Sequence, residues 1–275
     1  MYKCISPDYK KNDFEFSICT IVSNKEEYEL MKQSFENCGF VDGCEYIIAD
    51  NSESNVYDAY QAISLFLKQS SGKYLIVVHQ DVRCIDKREV LIQCLNDVHT
   101  CTPGWAVCGN AGAKGYHQHV IYISYESQTE KYTELPTEVN SLDENFLVIK
   151  RDTNITISPD LKGFHLYGTD LCIIANFLGY HCYVIPFMVQ HLSKGNLQSL
   201  AEYKREFIET YGRKLAAGYI QTTCTQFYLS NSVQKNRVFN YWAPVAFFIK
   251  QIERYAYLFN KEKRKNKTIK TTLNK

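Results

Sequence analysis

No stretch of the 275-residue sequence approaches the ~18 uninterrupted apolar residues that a membrane-crossing helix needs, so no such helix is expected. The first residues, Met1-Tyr2-Lys3-Cys4-Ile5-Ser6-Pro7-Asp8, hold neither an apolar run nor a small-residue cleavage site, and a secretory leader is not expected. Paired C-x-x-C spacings are missing despite eleven cysteines, which speaks against a zinc ribbon. The odd total, with Cys19, Cys172 and Cys182 inside apolar segments, predicts reduced thiols acting as small hydrophobes in a reducing, cytoplasmic compartment. No G-x-G-x-x-G follows the first apolar run and no G-x-x-x-x-G-K-[ST] occurs anywhere, so a dinucleotide fold and a P-loop enzyme are poorly supported. Nor is there an internal repeat.

What is there is ample material for a core: 45% apolar residues, 21 Tyr and 15 Phe. The formal charge of +1 hides an uneven distribution, because Lys250 to Lys275 carries nine Lys/Arg against Glu253 and Glu262. Phe16 to Val22 is a β-prone run almost without charge, the pattern of a strand buried on both faces. Ser23 and Glu26 then have capping-box spacing for a helix to about Asn37. Tyr46 to Ala49 repeats the strand pattern, Val56 to Lys68 reads as an amphipathic helix, and Tyr74 to Val78 is a third buried strand. Asp86 and Glu89 suit the start of another helix. Further strands are expected at Trp105 to Cys108, Val120 to Ser124, Asn145 to Ile149 and Tyr183 to Ile185, and a short helix from about Thr169. His117 and His119 read as loop residues. From Ser199 the pattern is helical and increasingly basic.

Strand and helix alternate, which predicts an α/β fold with a mostly parallel central sheet flanked by helices. Ligands of such sheets bind beyond the carboxyl ends of the strands. Polar residues stand at three of those ends, Ser23-Asn24, Asp50-Asn51-Ser52 and His79-Gln80-Asp81, and they should converge although some 30 residues apart in sequence.

Ala49-Asp50-Asn51-Ser52, followed by Gly72-Lys73-Tyr74-Leu75-Ile76-Val77-Val78-His79-Gln80-Asp81-Val82, resembles a family-2-like glycosyltransferase with the A-type nucleotide-sugar fold. Gly163-Phe164-His165-Leu166-Tyr167-Gly168-Thr169-Asp170-Leu171 is similar to that family's catalytic-base region. Val184-Ile185-Pro186, leading to His191-Leu192-Ser193-Lys194-Gly195, is similar to its closing strand and metal-side histidine. The family commonly carries D-x-D where this chain has His79-Gln80-Asp81, and an acid where it has Thr169. The resemblance spans roughly residues 14 to 196. It implies a nucleotide-diphospho-sugar transferase fold, with residues 1–198 as the catalytic domain and 199–275 as a helical, basic extension.

The activity so implied is transfer of a sugar, with inversion, from a nucleotide-sugar donor to an acceptor hydroxyl on a glycan, a lipid-linked carrier or a protein, as in surface polysaccharide synthesis. Uridine as the base is a family tendency. By resemblance Asp81 and His191 would hold Mn²⁺ or Mg²⁺ on the donor's diphosphate, and the cation would neutralise charge on the leaving group. Ser23, Asn24, Asp50, Gln80 and Lys194 would face the donor. Asp170 would be the base that takes the acceptor's proton, and Asp143, Glu144 and His165 would lie on the acceptor side.

Most of these residues also have a plainer reading. Asp81 and Ser23 can cap helices, Asp50 can close an Asx-turn, and Asp170 can face a helix dipole. His191 can be structural, Lys194 a solvated loop residue, and Asp143-Glu144 a surface turn. A catalytically silent binding or assembly module is the alternative from another class. A sugar-phosphate nucleotidyltransferase would need a Gly-rich, Arg-bearing loop where this chain has Ser23-Asn24-Lys25-Glu26. The stretch from Val238 to Leu258 reads as a basic amphipathic helix suited to an anionic inner membrane face, or as a helix packed on the domain. No nucleic-acid module accompanies the charge.

Overall fold

The computed structural model describes residues 12–114, 118–193, 199–214, 217–221, 226–242 and 251. In chain order the elements are β1 (Phe14–Val22), α1 (Lys25–Asn37), β2 (Cys44–Asp50), α2 (Ala59–Gln69), β3 (Gly72–Val78), β4 (Val82–Cys84), α3 (Arg88–Cys101), β5 (Trp105–Gly109), β6 (Ala111–Ala113) and β7 (His119–Ser124). They continue with β8 (Thr129–Lys131), β9 (Thr137–Glu138), β10 (Ser141–Leu142), β11 (Phe146–Lys150), α4 (Tyr167–Phe177), β12 (His181–Val184), β13 (Val189–His191), α5 (Leu200–Lys214), β14 (Gly218–Gln221), β15 (Gln226–Leu229) and α6 (Val233–Tyr241). Two compact units divide between Phe207 and Ile208.

In the first unit a seven-stranded sheet runs β2-β1-β3-β11-β5-β12-β9, with β11 and β9 antiparallel to the rest. The class is the expected one: α/β, a mostly parallel sheet, helices packed against it. Helix α2 lies on β1 and β3, and α4 on β5 and β12. A smaller sheet, β10-β6-β7-β13-β4 with β8 beside β7, leans on it. Apolar side chains at helical and strand spacing meet between these layers. Phe16, Phe35, Phe40, Phe146, Phe187 and Trp105 are all sealed from solvent. Ring centroids of Phe146 and Phe187 lie 5.2 Å apart and those of Phe35 and Phe40 5.3 Å. Each such side chain stabilises the fold by about 1.5–3 kcal/mol.

Register decides what gathers at one edge. Val22 pairs with Asp50, Cys19 with Val77, and Val78 with Phe146. The carboxyl ends of β1, β2 and β3 therefore share an edge with the amino end of the reversed strand β11. The loop leading into β11 is delivered to the same place.

Several boundaries differ from expectation for local reasons. Asn24, not Ser23, caps α1, its Oδ1 accepting the N–H groups of Glu26 (3.0 Å) and Glu27 (3.2 Å). Ser23 is already occupied, its Oγ accepting from Gln80 Nε2 at 2.8 Å. Helix α2 starts at Ala59 under an Asp58–Gln61 capping box. Asp86 does not cap α3, because its Oδ2 accepts Met188 N–H at 2.7 Å. Helix α4 starts at Tyr167, two residues before the expected Thr169, and His119 opens β7 rather than lying in a loop. His117 and Lys194 lie outside the described residues.

In the second unit β14 and β15 form an antiparallel hairpin, so the region past Ser199 is not wholly helical as expected. Asn240 links α6 to β15, its Oδ1 accepting Tyr228 N–H at 2.7 Å and its Nδ2 donating to Tyr228 O at 2.8 Å. Most of the basic segment past Trp242 lies outside the described residues. Among the described residues no helix is long and apolar enough to cross a membrane.

Candidate functional site

A cavity of about 770 Å³ opens at the shared strand edge. Among its walls are Ser23, His79, Gln80, Asp81, Asp143, Glu144, His165 and His191, so seven of the residues expected at a site are brought together with one more, His79. Gln80 knits the ends of β1 and β3, its Oε1 accepting Ser23 N–H at 2.9 Å and Asn24 N–H at 3.0 Å.

The densest chemistry is a triad. One ligand atom from each of His79, Asp81 and His191 falls within 4.8 Å of the others. Strand β13 runs antiparallel to β4 with His191 opposite Val82, which sets its ring beside Asp81. Asp81 Oδ1 stands 3.5 Å from His191 Nε2 and 3.9 Å from His79 Nδ1. Burial disfavours the Asp81 charge, but hydrogen bonding from His191 and Ser193 and the two imidazoles outweigh it and hold the carboxyl well below its ordinary range. Burial lowers the pKa of His79 against the pull of Asp81, favouring the neutral ring.

These residues fit a divalent cation. Atoms that share an ion at about 2.1 Å stand ~3–4 Å apart, as the Asp81 contacts do. His191 Nε2 is buried, and its contact with Asp81 Oδ1, at 3.5 Å, is too long to satisfy it fully. The His79 tautomer also suits ligation. Tyr167 donates its hydroxyl proton to the backbone oxygen of Glu144 (3.1 Å) and so accepts from His79 Nε2–H (2.8 Å), which leaves the Nδ1 lone pair facing Asp81.

Across the cavity sits an acidic pair. Glu144 is half-buried, and desolvation together with the neighbouring Asp143 charge pushes its carboxyl up to about 8. The Leu166 N–H works the other way, donating to Glu144 from a residue held at φ 65°, in the left-handed region. Gly168 lets α4 come this close: a Cβ there would meet the Leu142 carbonyl oxygen at 2.4 Å.

Three expected residues stay out of the cavity. Asp170 is 0% exposed on the core side of α4, and both its oxygens are engaged by Ser158, through N–H to Oδ2 (2.8 Å) and Oγ–H to Oδ1 (2.6 Å). It offers no surface to an acceptor hydroxyl. Asp50 turns outward, 3.2 Å from Lys25, and accepts Ser52 N–H at 2.9 Å in an Asx-turn. Hydrogen bonds from Ser52, then Lys25, take its carboxyl down to about 2. Asn24 spends its side chain on the α1 cap. At the end of the second strand Asn51, the residue after Asp50, lines the cavity instead.

No family model matches the chain. A protein of Fuscovulum blasticum described as ATP synthase subunits region ORF 6 is 30% identical over 216 residues, 75% of this chain and 87% of that protein. Among solved structures, S. aureus TarS 1-349 in complex with UDP is 12% identical at a TM-score of 0.48, over 71% of this chain and 65% of that one. GalNAc-T7 with UDP, GalNAc and Mn²⁺ is 13% identical at 0.44, over 73% and 48%. A197 from STIV is 17% identical at 0.42, over 66% and 87%.

Proposed function

The chain belongs to the family of the Fuscovulum blasticum ATP synthase subunits region ORF 6, and from its cavity we propose that it is a glycosyltransferase that moves a sugar from a nucleotide-sugar donor, with uridine the favoured base, to an acceptor hydroxyl. The observation that carries this reading is the pairing, across one cavity at the carboxyl edge of an α/β sheet, of the His79–Asp81–His191 triad with the Asp143–Glu144 pair.

The triad would hold a divalent cation on the donor diphosphate. Two imidazoles beside one carboxylate suit Mn²⁺ better than Mg²⁺, which prefers an all-oxygen shell. Such an ion supplies Lewis-acid neutralisation of the charge that builds on the departing nucleoside diphosphate. Ser23 and Gln80 form the wall at the nucleotide end, with Gln80 locking the β1 and β3 termini in register.

The proton of the acceptor hydroxyl goes to the acidic pair. Burial and the neighbouring Asp143 charge together raise the Glu144 carboxyl. Glu144, raised toward the working pH, accepts a proton with more driving force than an ordinary carboxylate. Attack opposite the leaving group would invert the anomeric centre. The role first expected of Asp170 passes to Glu144.

Calorimetric titration of a nucleoside-diphosphate panel, with and without Mn²⁺, tests the reading. Metal-dependent binding of one nucleotide, lost in Asp81→Asn, is expected. No binding by the wild type under either condition would return the chain to a silent binding module.

A further inference from the structure

Asn145 is the residue before β11, and its backbone oxygen accepts His79 N–H at 3.1 Å. Asn145 is among the residues that line the cavity, yet it is 1% exposed. Neither Nδ2 nor Oδ1 has a hydrogen-bond partner among the described residues. A buried amide open at both ends is costly unless something else completes it.

The neighbouring cavity amide shows the contrast. Asn51 is engaged at both ends, Oδ1 accepting Val56 and Tyr57 N–H at 3.0 and 2.9 Å and Nδ2 donating to Tyr57 O at 2.7 Å. Asn145 alone of the two keeps a donor and an acceptor in reserve. A hydroxyl group is the matching partner, being donor and acceptor at once. A phosphate would satisfy Nδ2 and leave Oδ1 facing another oxygen. In sequence Asn145 follows the acidic pair directly, and its backbone is bonded to the first member of the triad. Asn145 would therefore stand close both to a diphosphate held at the triad and to the acidic pair.

We infer that Asn145 hydrogen-bonds a hydroxyl of the donor sugar, an inference that rests on the transferase reading above. It would make Asn145 the residue that senses whether a hexose is attached to the nucleotide and how one of its hydroxyls is set.

The test is calorimetry on the full chain with Mn²⁺, using UDP, UDP-glucose, UDP-galactose, UDP-N-acetylglucosamine, GDP and GDP-mannose as probes. Asn145→Ala should leave affinity for the free nucleotide within about twofold and weaken the matching nucleotide-sugar about 10–100-fold, the loss expected when one hydrogen-bond partner is removed and the other left unpaired. Asn145→Ser, which keeps a smaller donor and acceptor, should fall between. Equal losses for nucleotide and nucleotide-sugar would overturn the inference, because Asn145 would then only shape the site. Unchanged affinities would also overturn it and assign the amide to a trapped water. So would an unchanged donor affinity with a raised KM for acceptor. Failure of the wild type to bind any probe would instead sink the transferase reading, and this inference with it.

Discussion

The hydroxyl of Tyr167 lies 2.8 Å from Nε2 of His79 and fixes which nitrogen of that ring carries the proton. Because the same hydroxyl donates to the Glu144 backbone oxygen, the ring must donate to it, and Nδ1 is left with its lone pair toward Asp81. A metal-ligating histidine is usually oriented through its other nitrogen in this way, and loss of such a partner typically weakens metal binding 10–100-fold.

Tyr167→Phe isolates that effect. It removes one hydroxyl while keeping the ring, which packs edge-on to Tyr60 at 6.5 Å. Mn²⁺ affinity measured by calorimetry should drop about 10-fold or more, beyond a fall of a few degrees in the metal-free thermal midpoint from the two partners left unpaired. Equal Mn²⁺ affinity in the two proteins would mean the hydroxyl does not set the ring.

Asp81→Asn bears on the triad itself. A ligand present at 100 times its Kd stabilises the folded state by about 2.7 kcal/mol, which for a unit of this size is a rise of roughly 5–10 °C in Tm. Wild type should show that rise with saturating Mn²⁺, and Asp81→Asn should show almost none. His191→Gln should behave likewise, since its buried Nε2 has a long 3.5 Å contact with Asp81 that an ion between them would complete. A full shift in both variants would rule the triad out as the metal site.

Glu144 predicts opposite trends for stability and turnover with pH. Its folded pKa is raised from 4.5 to about 8, so the folded chain holds a proton the unfolded chain has released. Stability from this group is fully present below about pH 4.5, declines through the interval, and is gone above about pH 8. The groups facing it are Asp143, the Tyr167 hydroxyl and the Leu166 N–H. Glu144→Gln should match wild type near pH 5 and exceed it by about 1–2 kcal/mol at pH 9, after discounting for solvent access to a half-buried side chain. Turnover by the wild type should rise through the same interval as the base loses its proton. Parallel pH profiles of stability for the two proteins would remove Glu144 from the account.

The strands carrying this site were legible because buried parallel strands are nearly all apolar and stop abruptly at polar residues. Phe16 to Val22 gives way to Ser23-Asn24, and Tyr74 to Val78 to His79-Gln80-Asp81. The residues of the site's far wall were named by resemblance, but how the fold delivers them was not legible. Asp143 to Asn145 arrive at the amino end of β11, and nothing local in Phe146 to Lys150 says that this strand runs against its neighbours. Strands β4 and β13, three residues each, are too short for periodicity to register, yet their pairing sets His191 beside Asp81. His79 could have been found: an imidazole in place of the first acid of a D-x-D is still a metal ligand.

Asp170 separates a sequence pattern from a working position. Its place near a helix start, in a segment resembling a catalytic-base region, suits a proton acceptor, but α4 begins at Tyr167 and turns this side chain inward. There it receives the N–H and hydroxyl of Ser158, charge-assisted bonds that pin the 151–166 segment to the helix. Asp170→Asn keeps the shape but weakens both bonds and sets an amide donor against one of Ser158's donors. A loss of about 2–3 kcal/mol follows, visible as a lower urea midpoint at unchanged slope. Turnover per folded molecule should stay near wild type at a temperature where both proteins are folded, since the group does not reach the cavity. If Asp170→Asn keeps full stability and abolishes turnover, the base belongs to Asp170 and α4 must open to expose it.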